Sequence, residues 1–294
     1  MHEEKGEWVP NYIIKSPREC KSIIVNPGDL KYRVLMIHKW EKELEGTNII
    51  KYIQWGEGQG YNKRPTCASR RRWYELGKQT PPNYILPLTV GKRVLTIKNE
   101  STYVDHNLVS IYIKSDDNLT KDVMGSFLIS TLFGLFRELN GISNLGLGAL
   151  KADPIYTKPT LILDPSLLTS LQNKELKSSF AEMCKRSIAS IFEEIGAEKP
   201  EDVSLEKVRS DRKALDDIIF DILELSTEDR LNVYRAILYL VSRRITKAED
   251  VGVLVGPEIK HKKRGAPSPE ELEEVVTLLQ LSKVGKLTED QESL

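Results

Sequence analysis

The sequence predicts an α/β chain, with a mixed-sheet domain over residues 1–165 followed by a small antiparallel helical bundle over 166–250. Three observations carry this. Short apolar and β-branched runs bounded by turn residues recur as far as Asp164. Beyond it the apolar positions fall at spacings of three and four, the helical period. The connections between these later segments are short, which sets neighbouring helices antiparallel. With 294 residues, 40% hydrophobic and 29% charged, the chain can bury one large core or two medium ones.

In chain order, Tyr12–Ile14 and Ser22–Val25 are short apolar runs, Asn26-Pro27-Gly28-Asp29 is a turn, and Tyr32–Ile37 suits a strand. Trp40–Glu45 reads as a short charged helix ended by Gly46, and Ile49–Trp55 as a strand or short helix. Gly56-Glu57-Gly58-Gln59-Gly60 reads as a flexible loop. Tyr84–Leu88, Arg93–Ile97 and Leu108–Ile113 are three strands of a meandering sheet, and Leu119–Leu139 is helical. Asn140–Gly148 is a Gly/Asn-rich loop, and Thr160–Leu163 a last strand.

Phe180, Met183, Cys184, Ile188, Ile191, Phe192 and Ile195 form one apolar stripe in a helix from Pro165 to Glu194, stopped by Gly196. Leu205–Leu225 and Thr227–Lys247 are two more amphipathic helices, the second opened by a capping box of Ser226 and Asp229. Residues 251–294 read as a linker carrying His261-Lys262-Lys263-Arg264, a short helix from Pro269 to Leu281 and a disordered tail.

The formal net charge is zero, so only local asymmetry speaks about partners. From Gly60 to Lys98 there are nine Lys/Arg and one acid, Glu75, whereas Glu193–Arg230 holds thirteen acids and six Lys/Arg. Three scattered cysteines fit a reduced, cytoplasmic setting and exclude a disulfide framework or a Cys-based zinc site. No two of the four His form a local metal pair. The opening MHEEKGEW is too polar for a signal peptide, and the apolar run Val123–Phe136 is too short to span a bilayer, so no membrane partner is expected.

Several catalytic patterns fail on their chemistry. Thr80-Pro81-Pro82-Asn83 is a near miss to the Asx/Ser-Pro-Pro-aromatic loop that holds a flipped adenine, with the aromatic Tyr84 one place late. Thr80, however, lacks the carboxamide or carboxylate that grips the exocyclic amine, and Asn83 cannot stack as an aromatic does. Gly56–Gly60 is followed by a basic run rather than the apolar helix of a cofactor turn. Asp116-Asp117 reads as a solvated turn, and Asp216-Asp217 as the polar face of a helix.

The residues that remain are basic and aromatic. Lys63, Arg64, Arg70, Arg71 and Arg72 can neutralise phosphate or bind guanine, Thr66 and Ser69 can donate to phosphate oxygens, and Lys92, Arg93 and Lys98 extend a positive face. The alternative is a solvated charged loop over a buried Trp, with Trp73 a core anchor and Tyr74 beside it. The loop Asn140–Gly148 exposes backbone and small polar donors at a helix exit, either to approach a ligand closely or simply to turn.

The order of YIQWGEGQG, RPTCASRRRWYELG, NESTYVDHNLVSIYI, VMGSFLISTLFGLFREL and NLGLGALKADP resembles the C-terminal target-recognition (specificity) region of adenine-specific N6 DNA methyltransferases, the TaqI-like and Type IIG restriction–modification enzymes. Arg70-Arg71-Arg72-Trp73-Tyr74 matches that family's Arg-x-x-Trp-Tyr motif, and Gly146–Asp153 its Gly-rich step. The segment from Arg212 to Val251 resembles the helical pair that follows. The resemblance runs from about Tyr12 to Val251.

It implies a DNA-binding chain that holds double-stranded DNA while a partner catalytic domain or subunit, carrying S-adenosylmethionine, methylates adenine. No cofactor, metal or catalytic residue is expected on this chain. The contacts it implies are Lys63, Arg64, Ser69, Arg70, Arg71, Arg72, Trp73 and Tyr74, supported by Lys92 and Arg93, with Asn144, Gly146, Gly148 and Lys151 as a second loop. Two other classes stay open: a metal-dependent nuclease using Asp116, Asp117 or Glu57, and an RNA- or protein-interaction module built on the helical half.

Overall fold

The computed structural model describes residues 2–4, 7–143, 148–157 and 160–254. The strands are β1 (His2–Glu4), β2 (Glu7–Val9), β3 (Tyr12–Ile14), β4 (Tyr32–Arg33), β5 (Tyr84–Pro87), β6 (Thr89–Val90), β7 (Ile97–Lys98), β8 (Tyr103–Val104), β9 (Leu108–Ile111) and β10 (Leu150–Lys151). Between and after them come α1 (Asn48–Gly58), α2 (Pro65–Ala68), α3 (Asn118–Ile129), α4 (Thr131–Asn140), α5 (Pro154–Thr157), α6 (Ser170–Met183), α7 (Ile191–Ile195), α8 (Ser210–Ile222) and α9 (Thr227–Leu254). The α/β class is as the sequence predicts.

β5 is the centre of a three-stranded antiparallel sheet ordered β7–β5–β9, and all four of its residues are buried. The expected meander is thus replaced by a sheet with its first strand in the middle. A second sheet, β4–β3–β8, mixes an antiparallel pair with the parallel pair β3–β8, and β6 pairs with β10. Asn83 locks the Pro-Pro stretch to this framework. Its carboxamide oxygen accepts from the Ile113 amide at 2.7 Å, and the Pro82 carbonyl accepts from Asn99 at 2.8 Å. The stretch is a strand lead-in whose Thr80 and Pro82 carbonyls and Asn83 carboxamide are already bonded.

Residues on both sides of position 165 enter one buried apolar cluster, from Ile14 and Tyr84 through Phe127 and Phe133 to Phe180, Ile219 and Val241. α3 packs on α6, α4 on α9, and α6 on α8. The helices therefore complete the core of the sheet region.

The expected single helix over Leu119–Leu139 is two, bent by 60° at Ser130. Ser130 caps α4 by accepting from the Phe133 amide at 3.1 Å, while its hydroxyl donates to the Phe127 carbonyl at 2.7 Å. α8 bonds both sides of the break. Arg212 donates to the Ile129 carbonyl at 3.2 Å, at the end of α3, and Asp216 accepts from the Thr131 amide at 2.9 Å and the Thr131 hydroxyl at 2.6 Å, at the start of α4. A cation thus meets orphan carbonyls and an anion meets orphan amides, as the helix dipoles favour.

Asp216 is 0% exposed and also accepts from the Tyr234 hydroxyl at 3.1 Å. This corrects the expectation that Asp216 lines a polar helix face. Asp217 does face outward and pairs with Lys213 and Arg230.

Other elements are shorter than the pattern predicts. Arg93–Ile97 contributes only Ile97 to a strand, Tyr32–Ile37 only Tyr32 and Arg33, and Thr160–Leu163 none. The stripe from Phe180 to Ile195 is broken between α6 and α7, where the chain turns so that Arg186 can reach Glu194 and Asp211. Gly196 ends α7 in the left-handed conformation, and Ser226 with Asp229 caps α9 as a reciprocal pair, both as expected. α9 continues to Leu254, so residues 251–254 are helix and not the expected linker, and the rest of that linker, with the helix and tail, lies outside the described residues. Among the described residues no single helix is long and apolar enough to cross a membrane. The bent α3–α4 pair has the length and composition together, but its apolar residues are largely core.

Candidate nucleic-acid interface

The basic segment sits on a lobe with its own small core. Ile37, Leu44 and Ile53 are buried there, flanked by Ile49, Ile50, Trp73 and Tyr74, and this cluster is separate from the main one. Gly56 is not in a loop: α1 runs through it. A Cβ on Gly56 would lie 2.5 Å from the Trp73 ring, so glycine is what lets the indole lie against the helix. Glu57, one residue on, accepts from Trp73 Nε1 at 3.0 Å. Trp73 is thereby an anchor, and Glu57 holds it instead of a metal.

Tyr74 donates to the Lys39 carbonyl at 3.0 Å. Arg72 pairs with Glu75 at 2.6 Å, and Glu75 also meets His38 Nδ1 at 3.1 Å. The Arg72 hydrogen bond first, then that of His38, holds the Glu75 carboxyl below the usual range. Arg72 and Arg71 both lie over the Trp40 ring, 4.6 and 5.0 Å from its centroid.

This tethering divides the predicted contacts. Arg72, Trp73 and Tyr74 build the lobe. Lys63, Arg64, Ser69, Arg70 and Arg71 are exposed, and among the described residues no salt bridge engages the four cations. They follow one another along a turn at Tyr61–Lys63, α2 and the bend beyond it. Pro65 at the first position of α2 fixes that helix start. Arg70 donates to the Glu75 carbonyl at 3.3 Å, which steadies its stem while leaving its charge uncompensated.

The supporting pair Lys92 and Arg93 and the second predicted loop are placed differently. Lys92 is exposed and Arg93 half-buried, in an irregular stretch after β6. Lys151 pairs with Asp153 at 2.5 Å, and Lys98 with Asp122 at 2.6 Å, so both charges are already partly met. Gly148 is buried at φ +64°, and a Cβ there would lie 2.9 Å from the Ile245 backbone, so its glycine serves packing against α9. Asn144 and Gly146 lie outside the described residues.

The sequence reading missed Arg244, which binds Glu138 in a two-pronged pair at 2.9 Å and donates to the carbonyls of Gly148 and Gly91. One buried guanidinium thus ties α9, α4 and both flanking loops together. It also missed the aromatic face of α1, where Tyr52 and Trp55 stand exposed.

Asp117 caps α3, accepting from the Leu119 and Thr120 amides at 3.2 and 2.8 Å, and Asp116 is exposed beside it. Among the described residues no three His, Cys, Asp or Glu converge. Burial pushes the Cys20 and Cys184 thiols up to about 11, so neither is poised as a nucleophile.

Comparison with known proteins bears on this arrangement. A family model described as the C-terminal domain of the Type II methyltransferase M.Eco57I matches residues 24–198. The chain belongs to this family. The matched span takes in the basic lobe, the central sheet, the α3–α4 bend, α6 and α7. It leaves out α8 and α9, which bond that bend from behind.

No curated protein matches the chain. Among solved structures, the type IIG restriction endonuclease BpuSI shares the fold, with a TM-score of 0.52 over 81% of this chain at 10% identity. The chain spans 26% of that enzyme's length. The family is that of a Type II methyltransferase C-terminal domain, as the resemblance implies, and the likeness to BpuSI concerns the fold alone.

Proposed function

We propose that this methyltransferase C-terminal module is the DNA target-recognition part of an adenine-specific restriction–modification system. It grips duplex DNA while a separate domain or subunit binds S-adenosylmethionine and performs the transfer. The observation that carries this reading is the row of exposed cations Lys63, Arg64, Arg70 and Arg71, which form no salt bridge among the described residues, on a lobe held by Trp73, Tyr74 and the Arg72–Glu75 pair. Cations without a carboxylate partner in the free protein are the ones that gain most from phosphate. Membership of the M.Eco57I C-terminal family and the BpuSI-like fold support the setting.

In this reading Arg70 and Arg71 position the duplex and contact base edges, Lys63 and Arg64 follow the backbone, and Lys92 and Lys151 flank it. The helical part from 166 onward buttresses the sheet that carries the lobe. The nuclease alternative loses ground because Asp117 and Glu57 are both engaged in the chain's own packing.

Selection from a random duplex library is expected to enrich a motif containing adenine, and the pure chain is expected to transfer no labelled methyl group to that motif. A library that comes back without any motif contradicts target recognition, and methyl incorporation by the chain alone contradicts the assignment of chemistry to a partner.

A further inference from the structure

Two large aromatic side chains of α1 face solvent without serving either core. Tyr52 is 57% and Trp55 50% exposed, and neither belongs to the lobe's apolar cluster. One helical turn apart, they stack with centroids 5.5 Å apart and planes inclined by 24°. Trp55 meets Tyr61 edge-on at 5.6 Å, and the Arg64 guanidinium lies 4.4 Å over the Tyr61 ring. Tyr52, Trp55, Tyr61 and Arg64 thus form a continuous row that runs into the basic segment.

The surroundings favour one occupant. The exposed positions of α1 are Asn48, Lys51, Tyr52, Gln54, Trp55 and Gly58, with one cation and no acid among them. The helix's acid, Glu57, is turned away to Trp73. An apolar protein surface would have to cover the Lys51 charge and the Gln54 carboxamide unpaired. A nucleobase offers a π-face to Trp55 and Tyr52, hydrogen-bonding edges to Gln54, and phosphates to Lys51, Lys63 and Arg64.

We infer that this row is a stacking site for unpaired nucleobases, taking single-stranded nucleotides beside the gripped duplex. The inference rests on the reading of the lobe as a nucleic-acid grip, and adds that the chain discriminates opened from paired DNA. Within an intact duplex the base faces are covered by their neighbours. The row therefore addresses strand that has been opened, the condition created when a base leaves the stack.

The test is a fluorescence titration of the full chain and its Trp55→Ala, Tyr52→Ala and Trp55→Phe variants. The probes are single-stranded oligothymidylate, a paired duplex, and the same duplex with a central unpaired bubble. Both aromatics are solvent-exposed, so the variants fold as the parent does. The expected result is tighter binding of the bubble than of the duplex by the parent chain. Trp55→Ala loses about tenfold on bubble and single strand, keeps the duplex affinity, and is rescued by Trp55→Phe.

Unchanged oligothymidylate binding by Trp55→Ala while the parent still holds duplex overturns this inference alone. Failure of the parent on every DNA overturns the proposed function as well. A parent dimer in sedimentation that Trp55→Ala converts to monomer, with nucleic-acid binding unchanged, assigns the row to a second copy of this chain and also overturns it.

Discussion

Replacing Arg70 and Arg71 together by alanine is expected to weaken duplex DNA binding about tenfold or more at low salt, and to flatten the slope of log affinity against log salt by about 1.8. Both side chains are exposed and neither has a carboxylate partner among the described residues, so in the free protein counterions supply the opposite charge. Each phosphate contact releases such counterions, and removing two contacts removes two increments of slope. Arg72→Ala should behave differently. It breaks the Glu75 pair and takes a cation off Trp40, so its first effect is on the folding of the lobe. Lys199→Ala, an exposed lysine in the acidic half, is the control. An equal loss from Lys199→Ala and from the Arg70/Arg71 pair would show that the positive segment is ordinary solvated surface.

The largest effect on stability is expected at Glu194. This carboxylate is 1% exposed and accepts from Arg186 at 2.7 and 2.8 Å and from Arg212 at 2.8 Å. Arg212 is 0% exposed, and its other contacts are a carbonyl at the end of α3 and the Thr131 hydroxyl. Glu194→Ala leaves a buried guanidinium without its anion, a change that costs about 3–5 kcal/mol.

Because Arg212 also bonds the α3–α4 bend, the loss should appear in global unfolding. Urea titration of the variant checks this, and a midpoint equal to that of the parent would contradict it. Burial alone would raise the Glu194 carboxyl, but the Arg186 bonds and the Arg212 charge outweigh it and hold it down at about 2, against an ordinary 4.5. A depressed carboxyl contributes stability above its ordinary value and loses it as the pH falls. The parent should therefore lose stability between about pH 4.5 and 2, and Glu194→Gln should lose less over that interval. Asp216 works against this trend, since burial raises its carboxyl and its protonation on acidification relieves that cost.

Local signals were legible in the sequence and distant ones were not. Gly196, the Ser226–Asp229 pair and the apolar period of α9 are written within a few residues of where they act, and all appear as read. The buried state of Asp216 depends on Thr131, 85 positions earlier, so no pattern around residue 216 reveals it. Gly56 looked like loop because its glycine answers to Trp73 across the lobe rather than to its own turn. Ser130 carries a cap signal, but it is embedded in an apolar stretch whose continuous helical character hides the bend.

For the proposed grip, composition singles out the basic segment. Only the fold separates the cations that build the lobe, such as Arg72, from those that face solvent. Tyr52 and Trp55 were read as part of a strand or short helix. Their exposure follows from α1 resting on the lobe through Ile49, Ile50 and Ile53.

The most direct test of the proposed grip is an equilibrium titration of the pure chain against duplex DNA over a range of salt concentrations. Binding at low salt whose logarithm falls linearly with log salt, at a slope that shrinks when Arg70 and Arg71 are removed, is the expected result. No binding at low salt, or binding indifferent to salt, would contradict it.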